Sequence, residues 1–161
     1  MIESTETITL RLPANKVNLK NWLYESSDKD YQSFSKGHRA MGAFKYDDGV
    51  PGLVNVEQVG GMFCIQHYRE EYADATRIRL HSNGTKAYVF RIFPLTISAV
   101  WEMRVEPLSE TASQFTCHIE VGFPNRVMEG LAHIGFGSLS LRSHNKEETK
   151  NFVADIERKS K

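Results

Sequence analysis

The stretch LVNVEQVGGMFCIQHY, residues 53–68, decides how this chain folds. Its first half, LVNVEQV (53–59), alternates, so Asn55, Glu57 and Val59 share one face of an extended strand. Gly60-Gly61 interrupts it, and MFCIQHY (62–68) resumes a strand pattern at once. Two such runs joined by a glycine pair read as a tight hairpin, and a hairpin commits the chain to an antiparallel sheet.

Reading outward, the same grammar repeats. GAFKY (42–46) runs into the turn signal Asp47-Asp48-Gly49. TRIRLHS (76–82) meets Asn83-Gly84, a strong hairpin signal, and KAYVFRI (86–92) is expected to return from it. ISAVWEMRVEP (97–107), the polar turn SETAS and QFTCHIEVGF (114–123) make a last hairpin. On the other side, ETITLRL (6–12) is a strand, and Pro13 opens a helical reading through VNLKNWLYES with Val17, Leu19, Trp22 and Leu23 on its apolar face. A second short helix is expected over Asp28–Ser35, with Ser26, Ser27 or Asp28 as N-cap. From Asn125 to Lys159 the pattern is helical, with Val127, Met128, Leu131, Ile134, Leu139, Leu141, Phe152, Val153 and Ile156 at helical spacings. Gly135 and Gly137 are expected to kink or split that helix. The sum is an α+β protein: a first strand, two short helices, an antiparallel sheet of about seven strands in all, and a long C-terminal helix.

Length and composition narrow the function. The 161 residues read as a single domain, 1–161, and a 40% hydrophobic content excludes a disordered chain. Lys plus Arg and Asp plus Glu are both 20, so nucleic-acid binding is not expected. No apolar run approaches the ~20 residues of a membrane span, and MIESTETITL lacks a signal-peptide pattern. A cytoplasmic protein without membrane attachment is expected. Cys64 and Cys117 read as buried free thiols. No phosphate loop, dinucleotide fingerprint or nucleophile elbow occurs.

Four polar residues stand out against this background: His38, Glu57, His144 and Glu148. In HNKEETKNF (144–152), His144 and Glu148 lie at i and i+4 and leave one helix face together. Imidazole nitrogen and carboxylate oxygen suit zinc or another divalent metal. A step of two residues turns ~200°, so Lys146 and Lys150 face away from the pair, and Glu147 falls beside it. The bland alternative is a solvated helix face, since such charge runs are usually surface. Glu57 carries its own argument: if its face of the strand is inward, a buried carboxylate needs a partner. His67, His81, His118 and His133 read as surface residues, with His118 the reserve ligand. Tyr68, Tyr72 and Tyr88 are either cavity hydrogen-bonders or packing residues.

The element order resembles the helix-grip, or START-like, superfamily (SRPBCC), which includes polyketide cyclases and the birch-pollen allergen. That resemblance implies a curved sheet gripping the long helix around a cavity for an apolar or aromatic ligand. Several segments also resemble the diacetylphloroglucinol hydrolase family, a helix-grip branch that uses zinc to cleave a carbon–carbon bond beside an aromatic ring. Tyr31, Phe34 and His38 resemble its tyrosine, aromatic and histidine before a strand, one residue short and without its proline. Glu57-Gln58-Val59-Gly60 matches its strand with a metal-binding Glu. His144, Glu148, Asn151 and Phe152 fit its C-terminal pattern. The family's further histidine on the penultimate long strand is missing, and Trp101, Glu102 or Arg104 occupies that region. Three alternatives then stand: Glu102 substitutes as a ligand, fewer ligands hold the ion, or no metal is held at all. The resemblance implies a zinc-dependent hydrolase with the metal at His38, Glu57, His144 and Glu148. Tyr31, Phe34, Tyr68, Trp101, Glu102, Glu147 and Phe152 are then expected to line the cavity or support the ligands. The expected partners are a small aromatic or hydrophobic ligand and, optionally, a second copy in a homodimer. A non-enzymatic carrier with the same cavity is the alternative, and a protein-docking module a third.

Overall fold

Residues 53–68 form the hairpin their alternation requires. In the computed structural model, which describes residues 1–134 and 137–160, β3 (Pro51–Val59) and β4 (Met62–Ala73) pair antiparallel with Val59 opposite Met62. Gly60 and Gly61 are left as a two-residue loop. Gly60 has φ +56°, and a Cβ there would lie 2.5 Å from Ser140 Oγ, so both backbone and space demand glycine.

The other elements extend this unit. They are β1 (Ile2–Leu10), a 3-10 turn (Ala14–Lys16), α1 (Leu19–Glu25), α2 (Asp28–Phe34), β2 (His38–Lys45), β5 (Arg77–Val89), β6 (Phe93–Pro107), β7 (Ser113–Gly122), α3 (Arg126–Ile134) and α4 (Gly137–Lys159). The strands make one seven-stranded sheet in the order β1-β7-β6-β5-β4-β3-β2, every pairing antiparallel. Register shifts between His38 and Ala40, within β4, and between Ser82 and Thr85 mark bulges, which bend a sheet and deepen its twist. The curved sheet holds α4 across its inner face, which is the helix-grip α+β architecture.

Asn83-Gly84 does not turn the chain. β5 runs straight through it, and the pair falls at the bulge between Ser82 and Thr85. Gly84 lies outside the positive-φ residues, and a Cβ there would meet nothing within 4 Å. The reason is tertiary: both flanks pair with the same long neighbour, Ser82 with Ala99 and Thr85 with Ile97 of β6, rather than with each other. The reversal comes later, between Val89 and Phe93, where Phe90 (φ 51°) and Arg91 (φ 62°) take left-handed conformations without glycine.

The two short helices α1 and α2 begin on local side-chain caps. Asn18 caps α1 by accepting from the Asn21 N–H. Ser27 and Asp30 form a reciprocal capping box on α2. On α4, Leu141, His144, Glu148, Phe152 and Ile156 form one buried stripe, while Lys146 and Lys150 are exposed. Asn145 pins this helix to the sheet by donating to Ser4 O (3.1 Å) on β1 and Cys117 O (3.4 Å) on β7. Asn151 ties it to α2 through Phe34 O at 2.7 Å.

Two expectations change here. Val127 and Leu139 sit at helical apolar spacings yet are exposed, because α3 and the start of α4 turn only part of their apolar surface inward. Phe34 and Phe152 are buried but do not border the cavity. They pack on each other at 5.0 Å and on Trp22 at 5.8 and 5.3 Å, and Phe152 backs the cavity-lining Trp101 at 5.9 Å. Gly135 and Phe136 lie outside the described residues, as do the side chains of Leu131 and Ile134, so the expected kink at Gly135 does too. Among the described residues no helix is long and apolar enough to cross a membrane.

Candidate metal centre

His38, Glu57, His144 and Glu148 arrive at one point from three elements. His38 opens β2 and pairs across the ladder with Glu57 of β3. His144 and Glu148 stand one turn apart on the inward stripe of α4. All four are buried, and one ligand atom from each lies within 4.8 Å of the others. The His144 Nε2 to Glu57 Oε2 distance is 3.0 Å, and His38 Nε2 to Glu148 Oε2 is 3.2 Å. His144 Nε2 to Glu148 Oε2 is 3.4 Å, and His38 Nε2 to Glu57 Oε2 is 3.6 Å. A tetrahedral zinc with bonds of ~2.0–2.2 Å would have donor–donor edges of about 3.3–3.6 Å.

The surroundings fix which nitrogen points inward. His38 Nδ1 donates to the Tyr31 carbonyl at 2.7 Å, so its Nε2 faces the carboxylates. Its ring stacks on Tyr31 at 3.8 Å with 3° between the planes. His144 Nδ1 lies 3.2 Å from Ser35 Oγ. That hydroxyl donates to Glu147 Oε2 at 2.9 Å and so accepts from the imidazole. Glu57 Oε1 accepts from Gln66 Nε2 at 2.7 Å, and Oε2 from the Tyr31 hydroxyl at 3.3 Å. With both Nδ1 atoms engaged, two imidazole lone pairs and two carboxylates would face one another across a few ångströms. Such a centre requires positive charge, from protons or from a cation.

The titration behaviour carries the same message. Burial pushes the Glu57 carboxyl up, but the hydrogen bond and charge of His144, the charge of His38 and Gln66 outweigh it and hold it at about 2. Burial pushes His144 down, yet the Glu148 charge, the Glu57 hydrogen bond and charge and the Glu147 charge raise it to about 9. Two carboxylates with two imidazoles suit a divalent ion in charge and in ligand hardness, so the residues fit the expected metal.

The centre opens on a cavity of about 610 Å³. Tyr31, Tyr68, Trp101 and Leu141 line it together with Glu57, His144 and Glu148. Burial, then the charges of Glu57 and Glu148, push the Tyr31 and Tyr68 phenols well above their usual range, so both stay protonated. The volume falls in the range of small-molecule sites.

Other expected residues lie elsewhere. Trp101 faces inward, so Glu102, one position on, faces outward. It accepts from Arg79 at 2.7 Å and Arg77 at 3.0 Å and is no substitute ligand. His118 is its register partner and shares that outer face, bonded to Thr5 at 2.7 Å and Glu120 at 3.1 Å, so it is no reserve ligand either. Tyr72 lies under the Arg77 guanidinium and Tyr88 near Phe63, away from the cavity. Glu147 supports His144 through Ser35. Ser35 and Gln66 are the supporting residues that sequence reasoning misses; alternation on β4 offers the one signal, since Gln66 falls between inward Cys64 and Tyr68.

No protein-family model matches the chain, and no curated protein does either. Solved structures do resemble it. The Zhui aromatase/cyclase from Streptomyces sp. R1128 superposes with a TM-score of 0.64 at 13% identity, covering 99% of this chain and 95% of that one. A protein from Thermus thermophilus gives 0.69 at 12% identity, covering 99% of both chains. A START superfamily protein from Mycobacterium smegmatis gives 0.54 at 14% identity over 97% of each. The chain shares their fold.

Proposed function

We propose that this protein is a metal-dependent hydrolase of a small aromatic or polyketide-like compound, acting on a carbon–carbon bond beside the ring. The observation that carries the reading is the convergence of two imidazoles and two carboxylates, all buried, at the wall of an apolar cavity. His38 and His144 would hold the ion through Nε2, and Glu57 and Glu148 through a carboxylate oxygen. A divalent ion there supplies Lewis acidity toward a ligand carbonyl and toward water at neutral pH.

The chain's own groups do the rest. Trp101 and Leu141 exclude water and hold the ring by apolar contact. Tyr31 keeps its phenolic proton beside Glu57 Oε2, 3.3 Å away, and Tyr68 keeps one on the same cavity wall. In the hydrolysis water would add its oxygen to the acyl carbon, the acyl–ring bond would break to release a carboxylic acid, and Tyr31 or Tyr68 would pass its proton to the ring carbon and regain one from that water. The Ser35–Glu147 pair and Gln66 hold His144 and Glu57 in orientation. The aromatase/cyclase neighbour makes a polyketide-like ligand the natural first choice.

The test is turnover of phenols acylated on a ring carbon by zinc-loaded protein, followed by mass spectrometry. Loss of an acyl group that disappears with chelator and in Glu57→Gln is the expected result. Binding without turnover in every metal form would replace the enzyme with a carrier of the same cavity.

A further inference from the structure

One wall of the cavity contains two side-chain oxygens that the metal centre does not use. Asn55 of β3 and Gln66 of β4 are direct register partners, and both line the cavity. They are only 3% and 6% exposed. Asn55 Oδ1 and Gln66 Oε1 are buried and have no hydrogen-bond partner among the described residues.

The Gln66 amide cannot be turned to cure this. Its Nε2 donates to Glu57 Oε1 at 2.7 Å, and a carboxylate only accepts, so Oε1 must face the other way. An unpaired buried acceptor destabilises a fold, and natural proteins keep few of them. Gln66 Oε1 is thus a fixed buried acceptor on the cavity wall, and the Asn55 amide stands directly opposite it with its own oxygen unpaired. Cys64, Tyr68, Ile97 and Ala99, which line the same cavity, are apolar or aromatic in body, so the donor belongs to a largely apolar molecule. Asn55 lies two residues from Glu57 on the same strand face, a rise of ~7 Å, about the span of one substituted ring.

We propose that Asn55 and Gln66 form a hydroxyl-recognition subsite, and that the cavity takes a hydroxylated aromatic ligand whose O–H donates to Gln66 Oε1, with the Asn55 amide opposite meeting the same hydroxyl, while the ring's other side faces the four-residue centre. This deepens the proposed function and rests on its reading of the cavity as a ligand site. Asn55 then sets specificity together with Gln66, because a ligand lacking the hydroxyl leaves Gln66 Oε1 unpaired and the Asn55 amide without a partner.

The experiment is calorimetric titration of 2-naphthol and 2-methoxynaphthalene into wild type and Asn55→Leu, each with and without zinc. Wild type is expected to prefer the naphthol by ~10-fold or more, and Asn55→Leu to lose most of that preference while gaining thermal stability. Unchanged zinc affinity in Asn55→Leu separates the subsite from the metal centre. A preference that persists without any zinc binding would leave the subsite standing and remove the metal-dependent reading. Equal affinity for the two probes in wild type, or a preference that survives in Asn55→Leu, would overturn the subsite.

Discussion

Ser35 shows how far a single hydroxyl reaches in this site. It accepts from His144 and donates to Glu147, so Ser35→Ala removes the group that fixes the imidazole. Zinc affinity is expected to fall ~10–100-fold, measured by competition with a chromophoric chelator; an unchanged affinity would show that Ser35 does not orient the ligand. Glycines make a second contrast. Gly60→Val meets Ser140 at a positive φ and is expected to cost roughly 1–3 kcal/mol. Gly84→Val, in open space without positive φ, should stay within about 0.5 kcal/mol in a denaturant titration. Helical spacing puts His144 and Glu148 on one face, and strand alternation puts Glu57 on a face where a carboxylate needs a partner if it is inward; His38 is legible only through the resemblance of its segment. Ser35 is not: a serine after a helix is common, and only the fold shows what it faces; alternation sets Asn55 on the face of Glu57, but only the register shows Gln66 opposite it.

At the scale of elements, α2 is the piece that delivers Tyr31 and Ser35 to the centre, and its capping box holds its first turn. Ser27→Ala should destabilise by ~1 kcal/mol and lower the thermal midpoint by roughly 2–4 °C. The far end of α4 is held by Asp155, which accepts from Trp22 Nε1 at 2.9 Å and pairs with Lys159 at 3.0 Å. Burial pushes its carboxyl up, but Trp22, Lys159 and Arg158 outweigh this and hold it below the usual range. A depressed folded pKa gives stability above the unfolded value of ~3.9 that is lost as pH falls below it. Wild type should therefore lose stability between pH ~4 and ~3 more steeply than Asp155→Asn, in thermal melts across that range; parallel curves would contradict the assignment. Periodicity recovers the strands and the capped helices because those signals are local. It misreads Asn83-Gly84 because a long β6 on one side keeps β5 extended, and no local signal records that partner.

The whole molecule is a curved sheet closed by a helix whose inward stripe sets His144 and Glu148 among the apolar Leu141, Phe152 and Ile156. Its fold is legible from the order of strands and helices, since hairpins force an antiparallel sheet and the amphipathic helix must bury its stripe against it. The cavity is less so, because its volume depends on how the bulges bend the sheet. The central claim is that His38, Glu57, His144 and Glu148 bind a metal as one unit. An ion that binds only the folded state at ~100 times its dissociation constant should stabilise the protein by ~2.7 kcal/mol. The most direct measurement is metal content and zinc affinity of wild type, His144→Ala and Lys146→Ala after zinc supplementation and dialysis. One zinc per chain in wild type and Lys146→Ala, and none in His144→Ala, is the predicted result. Equal zinc in wild type and His144→Ala, or none in supplemented wild type, would contradict it.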